Sequence, residues 1–318
     1  MVGEEHKGLA CMFTMMNNAR LEVGMQGVAI SERAYQRALA FARERVQGIA
    51  RGHTQRSAII HHPDVRRMLM QMRAISEAGR AVAYYASAQT DLAHHAASAE
   101  DRAAHQRRVD LIIPIVKGWC TEMAQEATYL GVQVHGGMGF IEETGAAQYM
   151  RDARILTIYE GTTGIQALDL LGRKVLMTQG ESLRSFTKVV HKFCASQADN
   201  KAVTEFISPL ARLNREWGDL TMRIGMKAMQ NREEVGAASV DYLMYSGYIT
   251  MAYLWARMAV TAQEKLDAGA GDQRFYQAKL KTARFYFERI LPRTKTLEAT
   301  IDSGADNLLS MDIAEFSN

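Results

Sequence analysis

Ile158-Tyr159-Glu160-Gly161-Thr162-Thr163-Gly164-Ile165-Gln166 sets one carboxylate directly ahead of a Gly-Thr-Thr-Gly turn that opens a helix. A carboxylate on such a loop suits proton abstraction, and the amides after it suit a phosphate or a carbonyl oxygen. Alone, Glu160 reads as an acid that merely favours the helix dipole. Two upstream segments change that balance. One is the glycine-rich turn Gln133-Val134-His135-Gly136-Gly137-Met138-Gly139-Phe140. The other is Met150-Arg151-Asp152-Ala153-Arg154, just ahead of Glu160.

The surrounding composition predicts an all-α chain. Only 4 of the 318 residues are Pro, while 19 are Met. Pro removes a helix donor, whereas Ala, Leu, Met, Arg and Glu suit helices. No alternating apolar run marks a strand. The net charge of +3 is mild and spread along helix faces, so no basic patch points to nucleic acid. No apolar run approaches the ~20 residues of a membrane span, and the lead Met1-Val2-Gly3-Glu4-Glu5-His6-Lys7 lacks a signal-peptide core. Cys11, Cys120 and Cys194 stand far apart in apolar contexts and read as reduced thiols of a cytoplasmic protein.

Periodicity organises the chain. One long helix is expected over about 8–47, with Gly24 and Gly27 allowing another helix to approach closely. Gly48 to Arg56 breaks it, and Pro63 begins a helix running to about His95 with Val65, Met68, Leu69, Met72 and Ile75 on its buried face. The polar stretch Ser98 to Gln106 reads as a loop, and a third helix follows from Arg107 to His135, started or kinked by Pro114. A turn at Gly136–Gly139, a short helix at 146–151 and another at 161–176 complete the first half. After a linker at 177–181, Ser208-Pro209 reads as an N-cap and first helical position. The apolar seams Leu210, Leu213, Trp217, Leu220, Ile224 and Val240, Leu243, Met244, Gly247, Met251, Leu254, Trp255, Met258 lie on two bundle helices. The last helix spans about 272–290 and is closed or bent by Pro292.

In order and spacing, the Gln133, Met150 and Ile158 segments resemble the flavin-dependent acyl-CoA dehydrogenases. So does Gly3-Glu4-Glu5-His6-Lys7-Gly8-Leu9 followed by Asn17-Asn18-Ala19-Arg20. The resemblance covers about residues 1–175 and implies that family's C-terminal four-helix bundle at 1–176. The tail, 181–318, is similar to the additional helical domain of an extended subgroup that includes enzymes acting on 3-methylthiopropanoyl-CoA. Family members carry an N-terminal helical domain and a β-barrel ahead of this bundle. The chain is therefore expected to be the C-terminal part of a larger dehydrogenase: a cut piece, a cleavage product or the product of a split gene, inactive alone.

The resemblance also implies chemistry. Glu160 matches the base that removes the α-proton of an acyl-CoA while the β-hydrogen leaves as hydride to FAD, giving a trans-2-enoyl-CoA. The Glu160 N–H matches a donor to the thioester oxygen, and a dry pocket would raise the base's pKa toward working pH. Arg20 matches an arginine beside the catalytic carboxylate. Arg45, Gln133, Gly136 and Gly137 match contacts to the adenosine-diphosphate part of the FAD of a neighbouring subunit, and Thr162 matches a flavin contact on the subunit that carries Glu160. A homodimer follows, with an electron-transfer flavoprotein as the implied acceptor.

Departures are visible. Arg45-Val46-Gln47-Gly48 lacks the family's aromatic residue and is one residue shorter, Gly164 stands where a glutamine is common, and His62 stands where Gln is common. Arg151 and Arg154, which flank Asp152, read as forming structural ion pairs that hold the catalytic loop without touching substrate. His61-His62 and His94-His95 read as helix-end residues, because adjacent histidines diverge on a helix and chelate poorly. Trp119, Trp217 and Trp255 read as core. A di-iron site is excluded, since no His has Glu three residues before it. The competing reading of the whole chain is a non-catalytic helical domain for dimerisation or partner binding.

Overall fold

A computed structural model describes residues 3–317, so Met1 and Val2 of the lead lie outside the described residues, as do the side chains of Leu9, Ala10, Phe13 and Thr14. The chain is all-α: no strand occurs among the described residues, and one isolated bridge joins Val46 and Ala58. No helix among them is long and apolar enough to cross a membrane.

Three long helices form the first layer: α1 (Gly8–Glu44), α2 (Pro63–His95) and α3 (Ala99–His135). α1 and α3 run parallel at very short range. A Cβ on Gly27 would lie 2.8 Å from the Cys120 carbonyl oxygen, and one on Gly24 would lie 2.5 Å from Val116 Cγ1. The two glycines therefore set the approach of these helices, as the sequence leads one to expect. α2 packs antiparallel to both, with Gly79 against Val28 and Met72 against Gly131. α4 (Gly137–Phe140), α5 (Ala146–Arg154) and α6 (Thr163–Leu168) follow, and α6 widens into π-helix over Asp169–Leu176.

The second half comprises α7 (Glu181–Ser196), α8 (Thr204–Gln230), α9 (Glu233–Asp267), α10 (Gln273–Phe285), α11 (Arg293–Asp302) and α12 (Asp306–Leu309), with a π segment at Tyr286–Ile290. α9 is buried nearly all round over 242–256. One hydrophobic core takes in Trp119 and Ile115 of α3, Leu170 of the π segment, Phe186, Trp217, and Trp255 of α9. All three tryptophans are fully buried, each contributing on the order of 1.5–3 kcal/mol of transfer free energy or more. Arg293 of α11 adds a bidentate pair to Glu126 of α3, both contacts at 2.7 Å.

Four expectations are corrected. α3 begins at Ala99, not Arg107: Ser98 caps it by accepting from the Asp101 N–H at 3.0 Å, and Glu100 and Asp101 favour the dipole. The polar stretch is a solvated helical turn. α8 begins at Thr204, leaving Pro209 inside it. Phe206 and Ile207 are buried there, and their burial offsets the ~3 kcal/mol cost of an internal Pro. The helix that ends at Ile290, just ahead of Pro292, is not the last: Pro292 caps α11. Arg151 forms the expected structural ion pair, with Glu142 at 3.1 Å, whereas Arg154 donates to Thr157 Oγ1 and makes no ion pair among the described residues.

Candidate functional site

The Glu160 loop lies between α5 and α6. Glu160 has φ +57° and Gly161 φ +92°. The left-handed region is costly for a non-glycine residue, of order 1–3 kcal/mol, and persists only where the surroundings enforce it. The enforcing contacts are visible. Gln166, fully buried, donates from Nε2 to the carbonyls of Glu160 (3.2 Å) and Gly161 (3.3 Å). Lys117, fully buried in α3, donates from Nζ to the Gly161 carbonyl at 2.7 Å. Thr163 donates its hydroxyl to Glu122 of α3, and the Tyr159 hydroxyl donates to Gln26 of α1. A Cβ on Gly161 would sit 2.7 Å from Gln166 Nε2, so glycine is required there for space as well as for φ.

Those contacts leave the reactive groups of Glu160 free. Its half-buried carboxylate makes no hydrogen bond or ion pair among the described residues, and neither does its N–H. Thr162 caps α6 by accepting from the Ile165 N–H. Burial pushes the Lys117 ammonium down to about 8; Glu122 opposes this, Arg20 adds to it and Glu160 opposes it. Arg20, nearly fully buried, pairs with Asp169 Oδ2 at 2.9 Å at the start of the π segment, while Arg173 pairs with Asp169 Oδ1, also at 2.9 Å. No hydrogen bond or ion pair joins Arg20 to Glu160 among the described residues.

Arg45, Gln133, Gly136 and Gly137 meet in a second place, an open groove between the C-terminal ends of α1 and α3 that is also lined by His62. The Ile59 N–H donates to the Arg45 carbonyl at 2.8 Å, fixing the backbone as it leaves α1. The Arg45 guanidinium is exposed and has no hydrogen-bond or ion-pair partner among the described residues. Gly136 has φ +60°, and a Cβ on it or on Gly137 would meet nothing within 4 Å. A free guanidinium beside an open glycine backbone fits a phosphate. Gly139 serves packing instead: its Cβ would lie 2.3 Å from the Val132 carbonyl oxygen. His62 donates from Nε2 to the Gln47 carbonyl at 2.8 Å, and buried His135 stacks on Phe41 with ring centroids 4.5 Å apart.

The two clusters are separate. Along α1, Arg45 stands nineteen residues beyond Gln26, about 28 Å, and along α3, Gln133 stands sixteen residues beyond Lys117, about 24 Å. Sequence reading missed Lys117, Glu122 and Gln166. The available signal for the first was a single charge inside the apolar run Leu111–Cys120.

The family model described as "Acyl-CoA dehydrogenase, C-terminal domain" matches residues 6–176, and one described as "Acetyl-CoA dehydrogenase C-terminal like" matches residues 186–312. The chain is 44% identical to the 3-methylmercaptopropionyl-CoA dehydrogenase of Ruegeria pomeroyi over 98% of this chain and 53% of that protein. It is 33% identical to the broad-specificity linear acyl-CoA dehydrogenase FadE5 of Mycobacterium tuberculosis over 99% of this chain and 54% of that one. The crystal structure of Caenorhabditis elegans ACDH-11 in complex with C11-CoA shares the fold, with TM-score 0.74, 18% identity and coverage of 96% of this chain and 50% of that chain. The chain spans about half the length of the curated relatives it matches.

Proposed function

The chain belongs to the acyl-CoA dehydrogenase family, and on that premise we propose that it supplies the base and part of the flavin site for α,β-dehydrogenation of an acyl-CoA thioester. The observation that carries this reading is Glu160 itself. Its backbone is held in the left-handed region by two clasped carbonyls, while its carboxylate and N–H remain free. The carboxylate takes the α-proton, and the Glu160 N–H donates to the thioester oxygen as negative charge develops there. A preorganised donor of this kind is worth several kcal/mol at the transition state. As the β-hydrogen leaves with its electron pair, the Cα–Cβ double bond forms and the product is a trans-2-enoyl-CoA. When bound, FAD supplies the hydride acceptor.

Arg45, Gln133, Gly136 and Gly137 would hold the adenosine-diphosphate part of FAD, and Thr162 would contact the flavin. The two clusters stand about 24–28 Å apart along α1 and α3. That span supports a homodimer in which each flavin would lie between the Glu160 loop of one subunit and the groove of its partner. Residues 1–176 and 181–318 would act as two helical units over one shared core. An electron-transfer flavoprotein is the proposed acceptor. The test is anaerobic addition of acyl-CoA thioesters, the methylthiopropanoyl ester among them, to FAD-loaded enzyme in which this chain is joined to the N-terminal helical and β-barrel domains that the resemblance implies. Bleaching of the flavin band with release of an enoyl-CoA is expected, and a flavin left oxidised by every thioester would overturn the reading.

A further inference from the structure

We propose that Lys117 is the positioning residue of the Glu160 loop, holding the Gly161 carbonyl from inside α3 so that the Glu160 carboxylate and N–H face the substrate. The inference rests on the reading of Glu160 as the base. Lys117 lies between Val116 and Gly118 in a stretch where every residue from Leu111 to Thr121 is buried. A buried ammonium costs several kcal/mol of desolvation, and packing alone would be served better by Met or Leu. Its one hydrogen bond among the described residues goes to Gly161 O, 2.7 Å away. The carboxylates that act on Lys117 are those of Glu122 and Glu160, and it forms a hydrogen bond or ion pair with neither among the described residues. Gln166 holds the Gly161 carbonyl from the other side, but as a neutral donor at 3.3 Å. The charged bond is the shorter and stronger one. Because Gly161 directly follows the base and has φ +92°, releasing its carbonyl frees the turn that fixes Glu160.

Three variants of the FAD-loaded enzyme test this: Lys117→Met, which fills the same space without a donor, Lys117→Ala, and Glu160→Gln. Lys117→Met is expected to keep FAD and its KM while flavin reduction slows roughly 10- to 100-fold, the scale of one charge-assisted hydrogen bond. Propylamine carries the three carbons and the amine that Lys117→Ala removes. It is expected to restore reduction in that variant and to do nothing for Lys117→Met or Glu160→Gln. If Lys117→Met reduces flavin at the parental rate, or loses FAD with no change in rate per bound flavin, while Glu160→Gln is inert, the positioning role is overturned and the base stands. If Glu160→Gln reduces flavin at the parental rate, the base assignment itself fails.

Discussion

Gly247 of α9 lies so close to Trp119 of α3 that a Cβ there would fall 2.2 Å from the indole Cδ1. The helix beneath the Glu160 loop is thereby locked to the longest buried helix of the C-terminal half. Gly118, next in the chain, packs on Leu243 in the same way. Gly247→Ala is expected to destabilise the protein by about 1–3 kcal/mol, the usual cost of overpacking. Because one core cluster spans both halves, the loss should shift one calorimetric transition as a whole. Two transitions, with only one displaced, would show that the halves unfold independently.

The separation of the two clusters predicts complementation between subunits. Arg45→Ala and Glu160→Gln homodimers should each be nearly inactive. A hybrid dimer places intact Glu160 from one subunit against intact Arg45 from the other at one of its two sites. Purified hybrids carrying two different tags should recover about half the parental activity. Hybrids as inactive as their parents would place both residues in the site of a single subunit.

Much of this fold was legible in the sequence. The bounds of α2 followed from Pro63 at a helix start and from apolar periodicity, whereas α1 ends at Glu44, about three residues short of the expected end. The first turns of α3 were not legible, because a polar helix facing water resembles a loop unless the Ser98–Asp101 cap is noticed. α8 hid behind Pro209, whose local preference lost to the burial of Phe206. Within the proposed site, the residues contiguous in sequence could be picked out as candidates: Glu160 with Thr162, and Gln133 with Gly136 and Gly137. Lys117 could not, because its acceptor lies 44 positions away. The pairing of Arg20 with Asp169 depends on a similar long-range contact.

The cysteines offer an independent check on the packing. Burial pushes the Cys120 thiol up to about 12 and the Cys194 thiol up to about 11, while Cys11 is only half-buried. In the native protein at pH 8, a thiol-specific reagent should modify Cys11 and leave the other two until denaturant is added. Rapid native labelling of Cys120 would mean that α1 and α3 separate in solution.

Lys117 also predicts a pH dependence of stability. Its ordinary value is 10.5 and burial lowers it to about 8. Between these pH values the unfolded chain binds a proton that the native state does not, so this group makes stability rise with pH across that window. Lys117→Met lacks the contribution. Urea midpoints at pH 7.5 and pH 10 should therefore move in favour of the parent at the higher pH. Parallel changes in the two proteins would mean that Lys117 keeps an ordinary pKa in the fold.

The central claim concerns one carboxylate, and stopped-flow anaerobic reduction of FAD-loaded Glu160→Gln by an acyl-CoA tests it directly. The amide keeps the size of the side chain and the free N–H but cannot accept the α-proton. The flavin spectrum should stay oxidised after thioester addition, with FAD content equal to the parent. Bleaching at a rate near the parental one would show that another group removes the proton, and that the strained loop serves a purpose other than base catalysis.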